Sequence, residues 1–302
     1  MTAPAKLKTG DSVALLAPSG PCEPSRLEPS VLALEKFGLV PRVMESCHSR
    51  HGYFAGSDSL RARDIMDAFA DKSIKGVFAL RGGYGAQRLL PLLDYDLIAE
   101  NPKIFCGYSD ITVLHTVFNQ RCGFITYHAP MAATELYMPE LDSFTTSSFE
   151  GSIFENRTTP ELSYSPINPI IDPPGGGRAG RVSSGRLTGG NLSMLVSTIG
   201  TAYEIDTGDK ILFLEDIQEE PYKVDRMLLQ LKQAGKFDKC RAILLGSFLP
   251  ETSKSLSQAI KEILLPLGKP LGHNIPCGHC LPTATLALGA QTYMSAGIIK
   301  QV

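Results

Sequence analysis

Ser109, Glu215 and His279 each combine a reactive side chain with a neighbourhood able to present it. Ser109 lies in Phe105-Cys106-Gly107-Tyr108-Ser109-Asp110-Ile111-Thr112. The apolar run ending at Ile104-Phe105-Cys106 reads as a short buried strand, and Gly107 permits a sharp turn. Asp110 to Asn119 then has helical spacing, with Ile111, Leu114 and Phe118 on one face. A tight strand-to-helix turn pushes a serine hydroxyl into a cleft, while the helix N-terminus offers N–H groups to an oxyanion. The same letters also suit a plain helix cap, since serine before Asp-x-Thr is a common one. The hydrolase pattern G-x-S-x-G is incomplete, with Ile111 where the second glycine would stand.

Open α/β sheets gather their sites at the carboxyl ends of strands. After the strand-like run Val77–Leu80 comes Arg81-Gly82-Gly83-Tyr84-Gly85, whose glycines let backbone N–H groups approach a ligand. It fits neither nucleotide-binding glycine pattern. Beside the Ser109 strand, an N–H of Gly82 or Gly83 can be one oxyanion donor and that of Asp110 the other; an ordinary βα turn is the plainer account. After Ile211–Leu214 come Glu215 and Asp216, then Glu219 and Glu220. An acid ending a buried strand is well placed to orient a histidine, and a solvated acidic loop is the alternative.

Of the histidines at 48, 51, 115, 128, 273 and 279, His279 sits in the turn-rich Pro276-Cys277-Gly278-His279-Cys280-Leu281-Pro282. His128, after a first-half strand, competes with it, and His115 falls within the elbow helix as a packed or surface residue. Cys277-Gly278-His279-Cys280 also spells C-x-x-C, but Pro282 and the absence of a following amphipathic helix disfavour thiol redox chemistry. No second pair completes a zinc site.

The elements that must position these residues alternate through the first half. Strands are expected at 12–17, 40–43, 76–80 and 124–127, and helices at 27–37, 58–70 (capped by Ser57 or Asp58) and 86–93. Such alternation implies a mostly parallel sheet covered by helices. Prolines at 160, 166, 169, 173 and 174 and then Gly175-Gly176-Gly177 mark a connection. Order returns at Gly185, with strands at 210–214 and 242–246 and helices at 192–199, 224–234 and 256–264. The expected organisation is a domain over 1–155, a Pro/Gly-rich linker over 156–180, and a second, smaller α/β domain over 181–302.

The 302 residues are 43% hydrophobic and 20% charged, as for a soluble globular protein with one large or two ordinary domains. A net charge of −2 argues against nucleic-acid binding. No apolar run reaches transmembrane length and the N-terminus has no apolar signal region, so a cytoplasmic protein without membrane association is expected. Seven scattered cysteines fit reduced thiols.

With those residues in view, the chain resembles the LD-carboxypeptidase family of serine peptidases, which includes muramoyltetrapeptide carboxypeptidases and microcin-C immunity peptidases. The likeness runs through Val13–Gly20, Arg81–Gly85, Gly107–Thr112, Leu187–Leu192, Leu212–Asp216 with Pro221-Tyr222, Asp225–Leu228, and Gly278-His279. Any one block is weak; seven in order are specific. The resemblance implies Ser109 as nucleophile, Glu215 and His279 as its partners, and an oxyanion hole from the N–H of Asp110 and of the Gly82-Gly83 turn. It also implies a flavodoxin-like first domain, a second α/β domain carrying acid and base, and a homodimer. The implied reaction, without metal or cofactor, releases the terminal D-alanine of a murein tetrapeptide in cell-wall recycling. A free carboxylate suits a guanidinium, which makes Arg81 the candidate clamp, with Tyr84 and Asn191 as further pocket residues. Cys280 departs from the usual glycine or small polar residue after the histidine. Two rivals stand beside this reading. One is an immunity-type peptidase acting on peptidyl- or aminoacyl-nucleotide conjugates, disfavoured by the lack of tryptophan. The other is a non-catalytic α/β binding protein.

Overall fold

The first half of the chain places five strands in parallel, four of them largely buried on both faces and the one at the sheet edge partly exposed. They are β1 (Ser12–Leu16), β2 (Val40–Val43), β3 (Ile74–Ala79), β4 (Ile104–Gly107) and β5 (Thr126–His128). Their spatial order is 2-1-3-4-5, that of doubly wound flavodoxin-type sheets. A sixth strand, Leu286–Leu288, returns from late in the chain to pair antiparallel with β5. The computed structural model describes residues 1–157, 159–166, 183–249 and 254–302. Residue 158 and residues 167–180 of the expected linker lie outside that range.

Helices cover the sheet where the sequence has caps. Ser57 accepts from the Leu60 N–H and starts the helix Asp58–Ala70. Leu15, Phe78, Leu80, Ile104 and Phe149 share one core cluster beneath such helices. The expected helix at 86–93 is instead a 3₁₀ segment, Ala86–Leu92, containing Pro91, which lacks the N–H that a longer ladder needs. The expected helix 110–119 divides into a 3₁₀ turn (Ser109–Ile111), an α-helix (Thr112–Val117) and a π turn (Phe118–Cys122), closed by left-handed Gly123.

The chain divides into two compact units, Met1–Pro160 with Ala284–Leu288, and Glu161–Thr283 with Gly289–Val302. The second unit is built on an eight-stranded mixed sheet among the described residues. Its strands are β6 (Leu162–Ser163), β7 (Ser165–Pro166), β8 (Ser183–Asn191), β9 (Lys210–Ile217), β10 (Ala242–Leu249) and β11 (Leu271–His273). After Leu286–Leu288 (β12) come β13 (Gln291–Ser295) and β14 (Ile298–Gln301). The order is β6-β14-β13-β8-β9-β10-β11-β7, so the two edge strands are neighbours in sequence, separated only by Tyr164. The sheet therefore curls into a nearly closed barrel, which removes exposed edges. Leu212, Leu214, Leu228, Phe237 and Ile243 share its core cluster.

Candidate active site

Ser109 begins the turn that leaves β4, and its backbone has φ +65°. That left-handed conformation costs a non-glycine residue roughly 1–3 kcal/mol and persists only where the surroundings hold it. The cap positions here are Tyr108 and Ile111, and neither makes a side-chain cap bond. Ser109 therefore does not act as the cap of this turn, and it stands within it in a left-handed conformation. Gly82 packs directly against the serine. A Cβ added at Gly82 would come within 2.9 Å of Ser109 Cβ and 3.1 Å of its Oγ. Gly83, at φ +116°, lies against the backbone of Gly20, and Gly20 N–H donates to the Gly82 carbonyl at 3.3 Å. Ser109, Asp110 and the Gly82-Gly83 turn are thus gathered at one end of the first sheet.

The Asp110 carboxylate is buried; its Oδ2 accepts from Ser19 Oγ at 2.5 Å and from Ala86 N–H at 2.8 Å. Burial pushes this carboxyl above its ordinary range, opposed by the Ser19 hydroxyl, the Ala86 and Gly85 N–H groups and the Arg61 guanidinium. Arg61 is fully buried, donating to the Pro18 carbonyl at 2.6 Å and to Asp58 at 2.5 Å, and lying over the Phe54 ring.

His115 and His128 are both buried. His115 is buried with Nε2 at 2.8 Å from the Gly107 carbonyl, bracing the strand end that precedes the elbow. Burial lowers its pKa to about 4, against the pull of that carbonyl. The unfolded imidazole takes its proton near 6.5. The unfolded state thus binds more protons between pH 6.5 and 4, and stability is expected to fall as pH drops through that window. Urea unfolding at pH 7 and 4.5 checks this: His115→Gln should lose less stability over the interval than the parent protein. His128 is buried on β5 with its ring 5.5 Å from that of Tyr108, whose hydroxyl donates to Glu135 at 2.6 Å.

Arg81 donates to the Pro21 carbonyl at 3.0 Å and, with Arg26, lines a cavity of about 300 Å³ in the first unit. Tyr84 is half exposed, its ring 5.9 Å from that of Tyr53 and 5.8 Å from that of Phe54.

In the second unit, β9 carries Glu215 and Asp216 to opposite sides, as strand alternation requires. Glu215 is fully buried, and its Oε2 accepts from His279 Nδ1 at 2.7 Å and from His279 N–H at 3.2 Å. Donation of Nδ1–H fixes the tautomer in which Nε2 bears the lone pair. A desolvated carboxylate at this distance also favours the imidazolium once Nε2 takes a proton. The close approach depends on Gly278 at φ +103°. A Cβ there would lie 2.5 Å from Glu215 Oε2 and 2.7 Å from its Cγ. Cys277 is buried and its thiol is pushed well up by that burial, which leaves it inert, whereas Cys280 is partly exposed.

Asp216 turns the other way and ties β9 to the segment after β8. It accepts from Asn191 Nδ2 at 2.9 Å and from the N–H and Oγ of Ser193 at 2.9 and 2.7 Å. Asn191 is itself buried and caps the helix Leu192–Ser197 by accepting from Met194 N–H at 3.2 Å.

The chain matches the LD-carboxypeptidase N-terminal domain over residues 13–129 and the LD-carboxypeptidase C-terminal domain over residues 184–294. It belongs to the LD-carboxypeptidase family. This is a family of serine peptidases. Among curated relatives, "Probable murein peptide carboxypeptidase" of Bacillus subtilis (strain 168) is 39% identical, covering 97% of this chain and 91% of the relative. Among solved structures, muramoyltetrapeptide carboxypeptidase from Oxalobacter formigenes has a TM-score of 0.82 at 32% identity, covering 96% and 97% of the two chains. The microcin C7 self immunity protein MccF in complex with aspartyl sulfamoyl adenosine has a TM-score of 0.84 at 25% identity, covering 98% and 97%.

Several residues that shape the two clusters escaped the sequence reading: the Asp110 side chain, Ser19, Arg61 and Gly278. Their signals were present but mute. Ser19 sits in Pro18-Ser19-Gly20 after a buried strand, and Gly278 directly precedes the candidate histidine. Among the described residues no helix is long and apolar enough to cross a membrane.

Proposed function

We propose that this protein is a serine carboxypeptidase that hydrolyses an L,D-peptide bond and releases the C-terminal D-alanine of murein tetrapeptides, as in cell-wall recycling. The observation that carries the reading is the 2.7 Å bond from His279 Nδ1 to a fully buried Glu215, on a chain whose Ser109 is held at positive φ. Murein peptide carboxypeptidases among its relatives support the substrate class.

In this mechanism His279 Nε2 accepts the Ser109 proton as Oγ attacks the scissile carbonyl. The N–H groups of Asp110 and the Gly82-Gly83 turn stabilise the oxyanion. His279 then delivers the proton to the departing amine of D-alanine. Water, deprotonated by the same imidazole, clears the acyl-enzyme and regenerates Ser109. Glu215 holds the ring and favours its charged form. The reaction calls on no metal or cofactor. Incubation with purified murein tetrapeptide, followed by mass spectrometry for loss of one alanine, tests the reading; an unchanged tetrapeptide would defeat it.

An exopeptidase must also recognise a free carboxylate, and Arg81, in a cavity shared with Arg26, is proposed for that role. Arg81→Ala should raise KM for the free-acid tetrapeptide by roughly 10- to 100-fold, the scale of a lost charge-assisted hydrogen bond. The C-terminal amide of the same peptide should change less than about threefold on that basis. Equal damage to both substrates would remove Arg81 from carboxylate recognition.

The likeness to MccF, solved with aspartyl sulfamoyl adenosine, supports a second reading in which an aminoacyl-nucleotide conjugate is the substrate. The half-exposed Tyr84 ring offers a face for a base. Comparing kcat/KM for the tetrapeptide and for an aminoacyl sulfamoyl adenosine separates the two, and the carboxypeptidase reading expects the tetrapeptide to be preferred.

A further inference from the structure

We propose that the buried Asp110 carboxylate is a positioning residue that locks three strand-end loops together and so sets the reactive geometry of Ser109. The inference rests on reading Ser109 as the nucleophile.

β4, β3 and β1 are neighbours in the sheet, and each sends a loop out of its carboxyl end. The elbow follows β4, the segment holding Gly82 to Ala86 follows β3, and the segment holding Pro18 to Gly20 follows β1. A single oxygen, Asp110 Oδ2, accepts from both of the other loops, at 2.5 Å from Ser19 Oγ and 2.8 Å from Ala86 N–H. Two further bonds brace the frame: Gly20 N–H to the Gly82 carbonyl at 3.3 Å, and Ala55 N–H to the Ser19 carbonyl at 3.0 Å. Beneath it, Arg61 holds the Pro18 carbonyl at 2.6 Å.

The placement of this carboxylate matters because Asp110 is bonded directly to a residue that its own backbone preferences would release. Left to itself, the Ser109 peptide would relax out of φ +65°. The Asp110 side chain fixes the next Cα from the far side, so the turn cannot unwind without breaking both bonds. Gly82 lies against Ser109 with no room for a Cβ, so the serine and the proposed oxyanion turn move as one. Oxyanion donors act only when they sit about 3 Å from the developing charge, and a displacement of about 1 Å can cost on the order of 100-fold in rate. An anchor in this position therefore acts on kcat. The carboxylate, unlike the Asp110 N–H, has no part at the reacting atoms in this reading and does not line the Arg81 cavity, so KM should be indifferent to it.

Asp110→Ala removes the oxygen that both donors share. It should lower kcat for D-alanine release by roughly 100-fold with KM unchanged. It should slow labelling of Ser109 by a fluorophosphonate probe to the same degree, while the melting temperature stays above the assay temperature. Ser19→Ala, which removes one of the two donors, should lower kcat by roughly tenfold, and the double variant should be no worse than Asp110→Ala, since the Ser19 hydroxyl acts only through this carboxylate. A kcat within threefold of the parent in Asp110→Ala would overturn the proposal. So would a loss that appears in KM, or one that merely follows the unfolded fraction. If Asp110→Ala fails to fold, Ser19→Ala decides, and an unchanged kcat there overturns it. Retained turnover in Ser109→Ala would defeat the serine reading itself, a result distinct from an indifferent Asp110 in an enzyme that Ser109→Ala silences.

Discussion

Replacing Ser109 with alanine is expected to lower kcat for D-alanine release by roughly 10⁴- to 10⁶-fold, the range found when a triad nucleophile is removed. Stability should hardly change. Alanine meets the same left-handed backbone at φ +65°, and the deleted oxygen belongs to a side chain that is only half buried. The thermal midpoint should therefore stay within about 2 °C, in the range of a substitution that removes no buried packing. KM should also be nearly unchanged, because binding of the tetrapeptide is assigned to other groups. A coupled assay for free D-alanine, with thermal melting of the same preparation, checks both halves. Turnover at the parent rate would remove serine chemistry from consideration.

Gly278→Ala is expected to be nearly as damaging, by a different route. The added methyl would stand 2.5 Å from Glu215 Oε2, 2.7 Å from Cγ and 2.8 Å from Cδ. Glu215 is fully buried and has no open space to retreat into. The backbone at φ +103° also strains any residue but glycine. The pair must separate, and the imidazole then loses both its tautomer and the charge that steadies its protonated form. Loss of the corresponding acid in a triad costs about 10⁴-fold, and kcat for Gly278→Ala should fall by roughly 10³- to 10⁴-fold on that scale. Glu215→Gln should fall by a similar amount, and the double variant should be little worse than either. A Gly278→Ala enzyme with near-parent kcat would show that the close packing of the loop on Glu215 is unimportant to turnover.

Much of this arrangement was legible because short-range rules happened to agree. The Ser109 elbow was readable from an apolar run, a glycine and a helical spacing that meet within eight residues. Ser57 was readable as a cap because hydroxyl, spacing and amphipathic helix all pointed the same way. Glu215 was harder: Glu215 and Asp216 are adjacent acids, and which one faces the histidine is decided by the pairing of β9 with β8 and β10. The return of Leu286–Leu288 to the first sheet was hidden because three apolar residues carry no record of their partner. The closing of the second sheet around Tyr164 was hidden for the same reason, since β6 and β7 are two residues each. Asp110 illustrates a subtler gap. Next to a candidate nucleophile its backbone N–H drew attention, while its side chain works through Ser19, 91 residues away in the chain.

The account stands or falls on Ser109, Glu215 and His279 acting as one unit, and a mutant cycle measures that most directly. Ser109→Ala, His279→Ala and the double variant would be compared for D-alanine release from murein tetrapeptide at saturating substrate. A single cooperative unit predicts that each single variant loses nearly as much as the double, because removing one member idles the other. Losses that add in free energy, or a single variant that keeps most of its turnover, would contradict it.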